Sequence, residues 1–159
     1  MKTKTIITEL TQEDLVNLLC TATYWSSWLS CYANDREGVD ITEEDCREDV
    51  WAKCLLAGKR ITCVDYYAEG EHYGELPYTF GKEDEECEYS VSLQDIINGL
   101  QKCADGTFVD ADNDGAKEWL SECLRDLANE DVDFDNPEAE ALMQIILFGE
   151  LIYGWFPMV

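Results

Sequence analysis

Positive charge is the scarcest thing in this sequence. Its 159 residues hold 11 Lys+Arg and one His against 35 Asp+Glu, a formal net charge of −24. A chain so poor in cations is excluded from direct binding to nucleic acid or an anionic membrane, because both need Lys and Arg to meet phosphate. Histidine is nearly missing too, and no Cys-x-x-Cys occurs, which argues against a structural zinc site. His72, in Gly70-Glu-His-Tyr-Gly74, reads as a loop residue. There is no Gly-x-Ser-x-Gly, no phosphate-cradling loop and no zinc-protease motif, so the expectation is a protein that is not an enzyme. The start, Met1-Lys-Thr-Lys-Thr, has no apolar h-region, and no signal peptide is expected. The most apolar stretch, Ala141 to Val159, is interrupted by Gln144, Gly149, Glu150, Gly154 and Pro157 and reads as buried core rather than a membrane span.

What is present is enough for a core. Hydrophobic residues make up 46% and aromatics 11%, which disordered acidic chains do not reach. The length fits one domain over residues 1–159. Eight cysteines stand at irregular spacings, several of them on apolar helix positions, and read as reduced thiols in a cytoplasm.

Residues 5–10 read as a short strand or an extended lead-in. Thr11-Gln-Glu-Asp14 is a capping box with Asp for Glu, and Leu15, Leu18, Leu19, Ala22, Trp25, Leu29 and Tyr32 keep helical spacing, predicting a helix through about Ala33. Thr42-Glu-Glu-Asp45 predicts a second helix, which Gly58 stops. Ile61 to Tyr67 and Cys87 to Val91 read as antiparallel strands around a loop or irregular hairpin. Ser92 caps a third helix, residues 116–128 form a fourth, and Asn136-Pro137 opens a fifth that is apolar on most sides. The predicted fold is α+β, mostly helical, with a small antiparallel sheet. Tyr24, Trp25 and Trp28 cannot all face one core; core packing is favoured, with an edge or partner contact as the other role for Trp25 or Trp28. The apolar end, Trp155 to Val159, either docks on the core or forms a dimer contact.

The negative charge is unevenly spread. Of the net −24, −19 lies between residues 61 and 140, while residues 1–33 and 141–159 each carry only −1. Two segments concentrate it: Glu83, Asp84, Glu85, Glu86 and Glu88, and the region holding Asp110, Asp112, Asp114, Asp131, Asp133 and Asp135. Solvated acidic loops account for this equally well as a surface built to meet something basic. A compact chain of this length is about 40 Å across, and duplex DNA of that length carries roughly 24 charges. The totals agree, which permits imitation of DNA without establishing its geometry. Asp110-Ala-Asp112-Asn-Asp114-Gly115 also matches the first half of a calcium loop. The second half fails, with Lys117 and Ser121 at the eighth and twelfth positions, leaving at most loose binding of Ca²⁺ or Mg²⁺ and no other cofactor.

Three stretches together resemble a known family: Leu10-Thr11-Gln-Glu-Asp-Leu15 running into Leu18-Leu19-Cys20-Thr21-Ala22, the Tyr24-Trp25 pair, and Ala139 to Gly154. The chain is similar to small acidic proteins of phages and prophages of gut bacteria, at both ends and in the order of elements. The resemblance supplies no functional residues. It implies a mobile-element setting in a bacterial host cytoplasm, where small acidic proteins often inhibit restriction or CRISPR nucleases. The expected function is therefore a non-enzymatic acidic binder of a basic, nucleic-acid-binding host nuclease. The alternatives are a soluble assembly protein forming a homo-oligomer, a homodimer included, and a divalent-cation module.

Overall fold

A computed structural model describes residues 6–108, 115–128 and 136–153. In chain order it contains α1 (Gln12–Trp25), β1 (Leu29–Tyr32), α2 (Arg47–Leu56), β2 (Ile61–Asp65), β3 (Tyr78–Phe80), a 3₁₀ turn (Lys82–Asp84), β4 (Cys87–Val91), α3 (Leu93–Asp105), α4 (Gly115–Ala128) and α5 (Asn136–Phe148). The fold is α+β, with five helices and one antiparallel sheet of order β1-β2-β4-β3. No helix among the described residues is long and apolar enough to cross a membrane.

Caps set the helix starts. Thr11 Oγ1 accepts from Asp14 N–H at 3.1 Å while Asp14 Oδ2 accepts from Thr11 N–H at 2.8 Å, and Ser92 and Asp95 repeat the exchange at the head of α3. Residues 6–10 form the extended lead-in, pinned where Ile7 N–H donates to Gln101 Oε1 at 2.8 Å.

Two sequence expectations need correction. The first helix ends at Trp25, not near Ala33: Ser26 turns extended (φ −90°, ψ 126°), and Leu29 to Tyr32 become strand β1. This turn lets the Trp28 ring reach Phe148 and Tyr153, at centroid distances of 5.6 and 5.4 Å. The second helix starts at Arg47, not Thr42. Asp45 Oδ2 accepts from Thr42 N–H at 2.8 Å and from Lys53 Nζ at 2.7 Å, closing a turn, and Cys46 with Asp49 supplies the cap four residues later. The stretch between the predicted strands also contains β3, a short edge strand paired with β4.

One hydrophobic core joins the helices to one face of the sheet. Helix α5 lies at its centre, with Ala139 and every residue from Ala141 to Phe148 buried. A fully buried Leu or Ile there contributes about 1.5–3 kcal/mol relative to exposure. Gln144, also fully buried, folds the following chain back: its Oε1 accepts from Ile152 and Tyr153 N–H at 2.8 and 2.7 Å, and its Nε2 donates to Tyr153 O at 2.9 Å. None of the eight cysteines is joined in a disulfide.

Helices α3 and α5 cross at Gly99. A Cβ there would lie 2.5 Å from Ile146 Cγ1 and 2.7 Å from Ile146 Cα, closer than packed carbons approach. Alanine ordinarily favours a helix over glycine by about 1 kcal/mol. Gly99→Ala is expected to reverse that sign and destabilise by about 1–3 kcal/mol through overpacking, read by urea denaturation.

Candidate protein-binding surface

The sheet's register sorts its side chains into two faces. Cys31, Cys63 and Tyr89 stand opposite one another and are buried toward the helices, as are Leu29, Asp65 and Cys87. The alternating row Ser30, Val64, Glu88 and Thr79 points to the other face, with Tyr32, Thr62 and Ser90 beside it.

Tyr66 follows β2 and joins that outer face. Its hydroxyl shares hydrogen bonds with Ser30 Oγ at 2.8 Å and Tyr32 Oη at 3.1 Å, and its N–H donates to Trp28 O at 2.8 Å. The chain then turns through Ala68 to Glu69, whose N–H donates to Glu85 O at 2.9 Å. That bond brings the acidic run of residues 83–88 against the end of β2. The result is a depression of about 590 Å³ lined by Tyr66, Glu69, Gly70, Glu83 and Glu85. Glu69 and Glu83 both hold left-handed backbone, at φ 49° and 60°, and no other non-glycine residue among those described does. Such conformations cost non-glycine residues of order 1 kcal/mol, and they persist only where the surroundings hold them.

Four ion pairs occur among the described residues: Arg47–Glu48, Lys53–Asp45, Lys59–Asp35 and Arg60–Asp95. None includes Glu69, Glu83, Glu85, Glu86 or Glu88. The cations of residues 47–60 are engaged with nearby acids, and the carboxylates around the depression enter no ion pair among the described residues.

Of the residues singled out from sequence, Glu83 and Glu85 are exposed at the depression, Glu86 is half-buried beside it, and Glu88 stands on the outer sheet face. Asp84 closes the 3₁₀ turn with its backbone, and its side chain lies outside the described residues. Asp110, Asp112, Asp114, Asp131, Asp133 and Asp135 also lie outside them, as do Trp155 to Val159. Gly115, Lys117 and Ser121 belong to α4, and Ser121 Oγ donates to Ala104 O at 3.2 Å, engaged in holding α4 to α3. Among the described residues no three His, Cys, Asp or Glu side chains are grouped to hold a metal ion. His72 does more than occupy a loop: it stacks on Tyr78, with centroids 3.8 Å apart. The aromatic choice also resolves, with Trp28 buried and Tyr24 and Trp25 exposed as an edge-to-face pair 5.0 Å apart.

No protein-family model, curated protein or solved structure matches this chain. Its own geometry therefore carries the functional reading.

Sequence reasoning missed Tyr32, Tyr66 and Glu69. The available signal was alternation: Leu29 and Cys31 are apolar and Ser30 and Tyr32 polar at every second place in a segment read as helix, and the first two are buried. It also missed Asp65, which shapes the turn that presents Tyr66. Asp65 is fully buried, with Oδ1 accepting from Tyr67 N–H at 2.9 Å and Oδ2 accepting from Tyr153 Oη at 2.7 Å. Burial without a cation raises its carboxyl above the ordinary 3.8, while those two hydrogen bonds pull it back in part. Burial, with the Asp65 carboxylate alongside, pushes the Tyr153 hydroxyl up, so it remains a donor. As pH rises through 3.8, Asp65 ionises first in the unfolded chain, which favours unfolding until the folded carboxyl also ionises. The stability of the parent minus that of Asp65→Asn is expected to fall as pH rises from about 4 and then level off, in urea titrations at stepped pH.

Proposed function

We propose that this is a non-enzymatic acidic binding protein of the cytoplasm, which occupies the nucleic-acid-binding surface of a basic protein by presenting negative charge in place of phosphate. The proposed setting is that of a phage-type inhibitor, with a host nuclease as the partner. The observation that carries the reading is the acidic surface around Glu69, Glu83 and Glu85, held by the Glu69–Glu85 backbone bond and free of the ion pairs found elsewhere among the described residues. A net charge of −24 destabilises a compact chain by self-repulsion, and an acidic face that meets a basic partner gives that repulsion a use. The left-handed Glu69 and Glu83 agree with it, since strain of this kind gathers at ligand clamps.

The exposed Tyr24–Trp25 pair favours a second reading, a homo-oligomer formed through aromatic surface. Sedimentation of the parent and of Trp25→Ala separates the two: a dimer lost in the variant supports the oligomer, and a monomer at every salt concentration excludes it.

The first reading predicts that the immobilised protein retains nucleic-acid-binding proteins at low salt. It should release them near 1 M salt, where the Debye length is about 3 Å, and on addition of duplex DNA. Joint charge reversal at Glu85, Glu86, Asp112 and Asp114 is expected to weaken retention at least about tenfold, as like-charge contacts replace attractive ones. Retention indifferent to salt, DNA and charge reversal sinks the reading.

A further inference from the structure

The helices occupy one face of the sheet, and among the described residues no element covers the other. Ser30, Thr62, Glu88 and Ser90 are half-buried there, while Tyr32 and Thr79 are exposed. Val64 is the exception. It is 2% exposed yet stands outside the main core, on the outer face between Ser30 and Glu88. A shallow groove of about 280 Å³ runs over this face past Thr62, Thr79, Glu88 and Ser90. At the Tyr66 end of the same face lies the depression lined by Glu69, Glu83 and Glu85. The open face thus combines two tyrosine rings, a patch of hydroxyls, of which Ser90 Oγ already accepts from Arg60 Nε at 2.7 Å, and carboxylates that enter no ion pair among the described residues.

We infer that this sheet face is the docking surface for an arginine-bearing segment of a basic protein, with a guanidinium seated against the Tyr66 ring among Glu69, Glu83 and Glu85. The occupant follows from charge complementarity. A nucleic acid carries the same sign as the rim, and a second copy would bring one acidic rim against another. A basic polypeptide satisfies the carboxylates. Arginine fits better than lysine because a guanidinium is planar, less strongly hydrated, stacks on aromatic rings and binds carboxylates with two parallel donors. The Ser30 and Tyr32 hydroxyls fix the Tyr66 ring in advance, which reduces the entropy lost when a ligand stacks on it. The proposed function supplies the partner's sign; this inference adds which face binds and which side chain it reads.

The test uses octa-arginine and octa-lysine peptides with the intact protein, by calorimetry and by amide chemical-shift mapping. Octa-arginine is expected to bind about fivefold more tightly, the scale of one cation–π contact, with shifts centred on Ser30, Tyr32, Tyr66 and Glu69. Tyr66→Leu should erase the arginine preference while binding of octa-lysine persists. Glu83→Gln with Glu85→Gln should weaken both peptides, and circular dichroism checks that each variant folds. Equal affinity for the two peptides, a preference that survives Tyr66→Leu, shifts centred on another face, or a dimer dissolved by Tyr66→Leu each overturns the seat. Equal affinity together with salt-sensitive, DNA-displaceable retention would leave the proposed function standing without this surface. An arginine preference lost in Tyr66→Leu supports the seat even where retention proves indifferent to DNA.

Discussion

Phe148, the last residue of α5, has its ring centroid 5.6 Å from those of Trp28, Tyr73 and Tyr89 and 5.8 Å from that of Tyr153. Those rings come from the β1 lead-in, the loop before β3, strand β4 and the chain beyond α5. Pairs of this kind contribute about 0.5–1.5 kcal/mol each beyond the area they bury. The cluster joins Trp28, Phe148 and Tyr153 of the two nearly neutral ends to Tyr73 and Tyr89 of the acidic middle. Gln144 and Asp65 complete the joint, since Gln144 holds the backbone of Tyr153 and Tyr153 reaches Asp65. The turn that presents Tyr66 on the opposite face of the sheet hangs from that same aspartate. One short chain of contacts therefore links the core to the acidic surface.

Helix starts were legible in the sequence because capping is local. Thr11 with Asp14 and Ser92 with Asp95 lie three residues apart, and the bonds they form are those their spacing suggests. The same pattern misled at Thr42 with Asp45, where Lys53 from a later turn claims the carboxylate. Tyr32 misled for another reason: it fits a helical stripe begun at Leu15, and only the need to bury Trp28 breaks that stripe at Ser26. The α+β class followed from periodicity, whereas the strand order β1-β2-β4-β3 did not, because it depends on pairings between distant segments.

The acidic surface was legible in amount and not in arrangement. Counting residues locates charge near 83–88, but the partners of that run are Glu69, through a backbone bond, and Tyr66, through the depression they share. Neither follows from spacing. Tyr66 in turn depends on Ser30 and Tyr32, more than thirty residues earlier. Charge density can be summed along a chain, whereas a binding face requires register.

Charge and rings divide the work of recognition differently. Unpaired carboxylates act at a distance, attract any basic surface and lose their hold as salt rises. That serves capture but discriminates poorly among basic partners. A ring fixed by two hydroxyls acts only at contact and separates a guanidinium from an ammonium. An acidic coat meant only for solubility would have no use for tyrosines beside its densest run of glutamates, nor for two glutamates kept in left-handed backbone. Their convergence at the end of β2 is what supports the proposal that this surface meets a partner rather than merely repelling its neighbours.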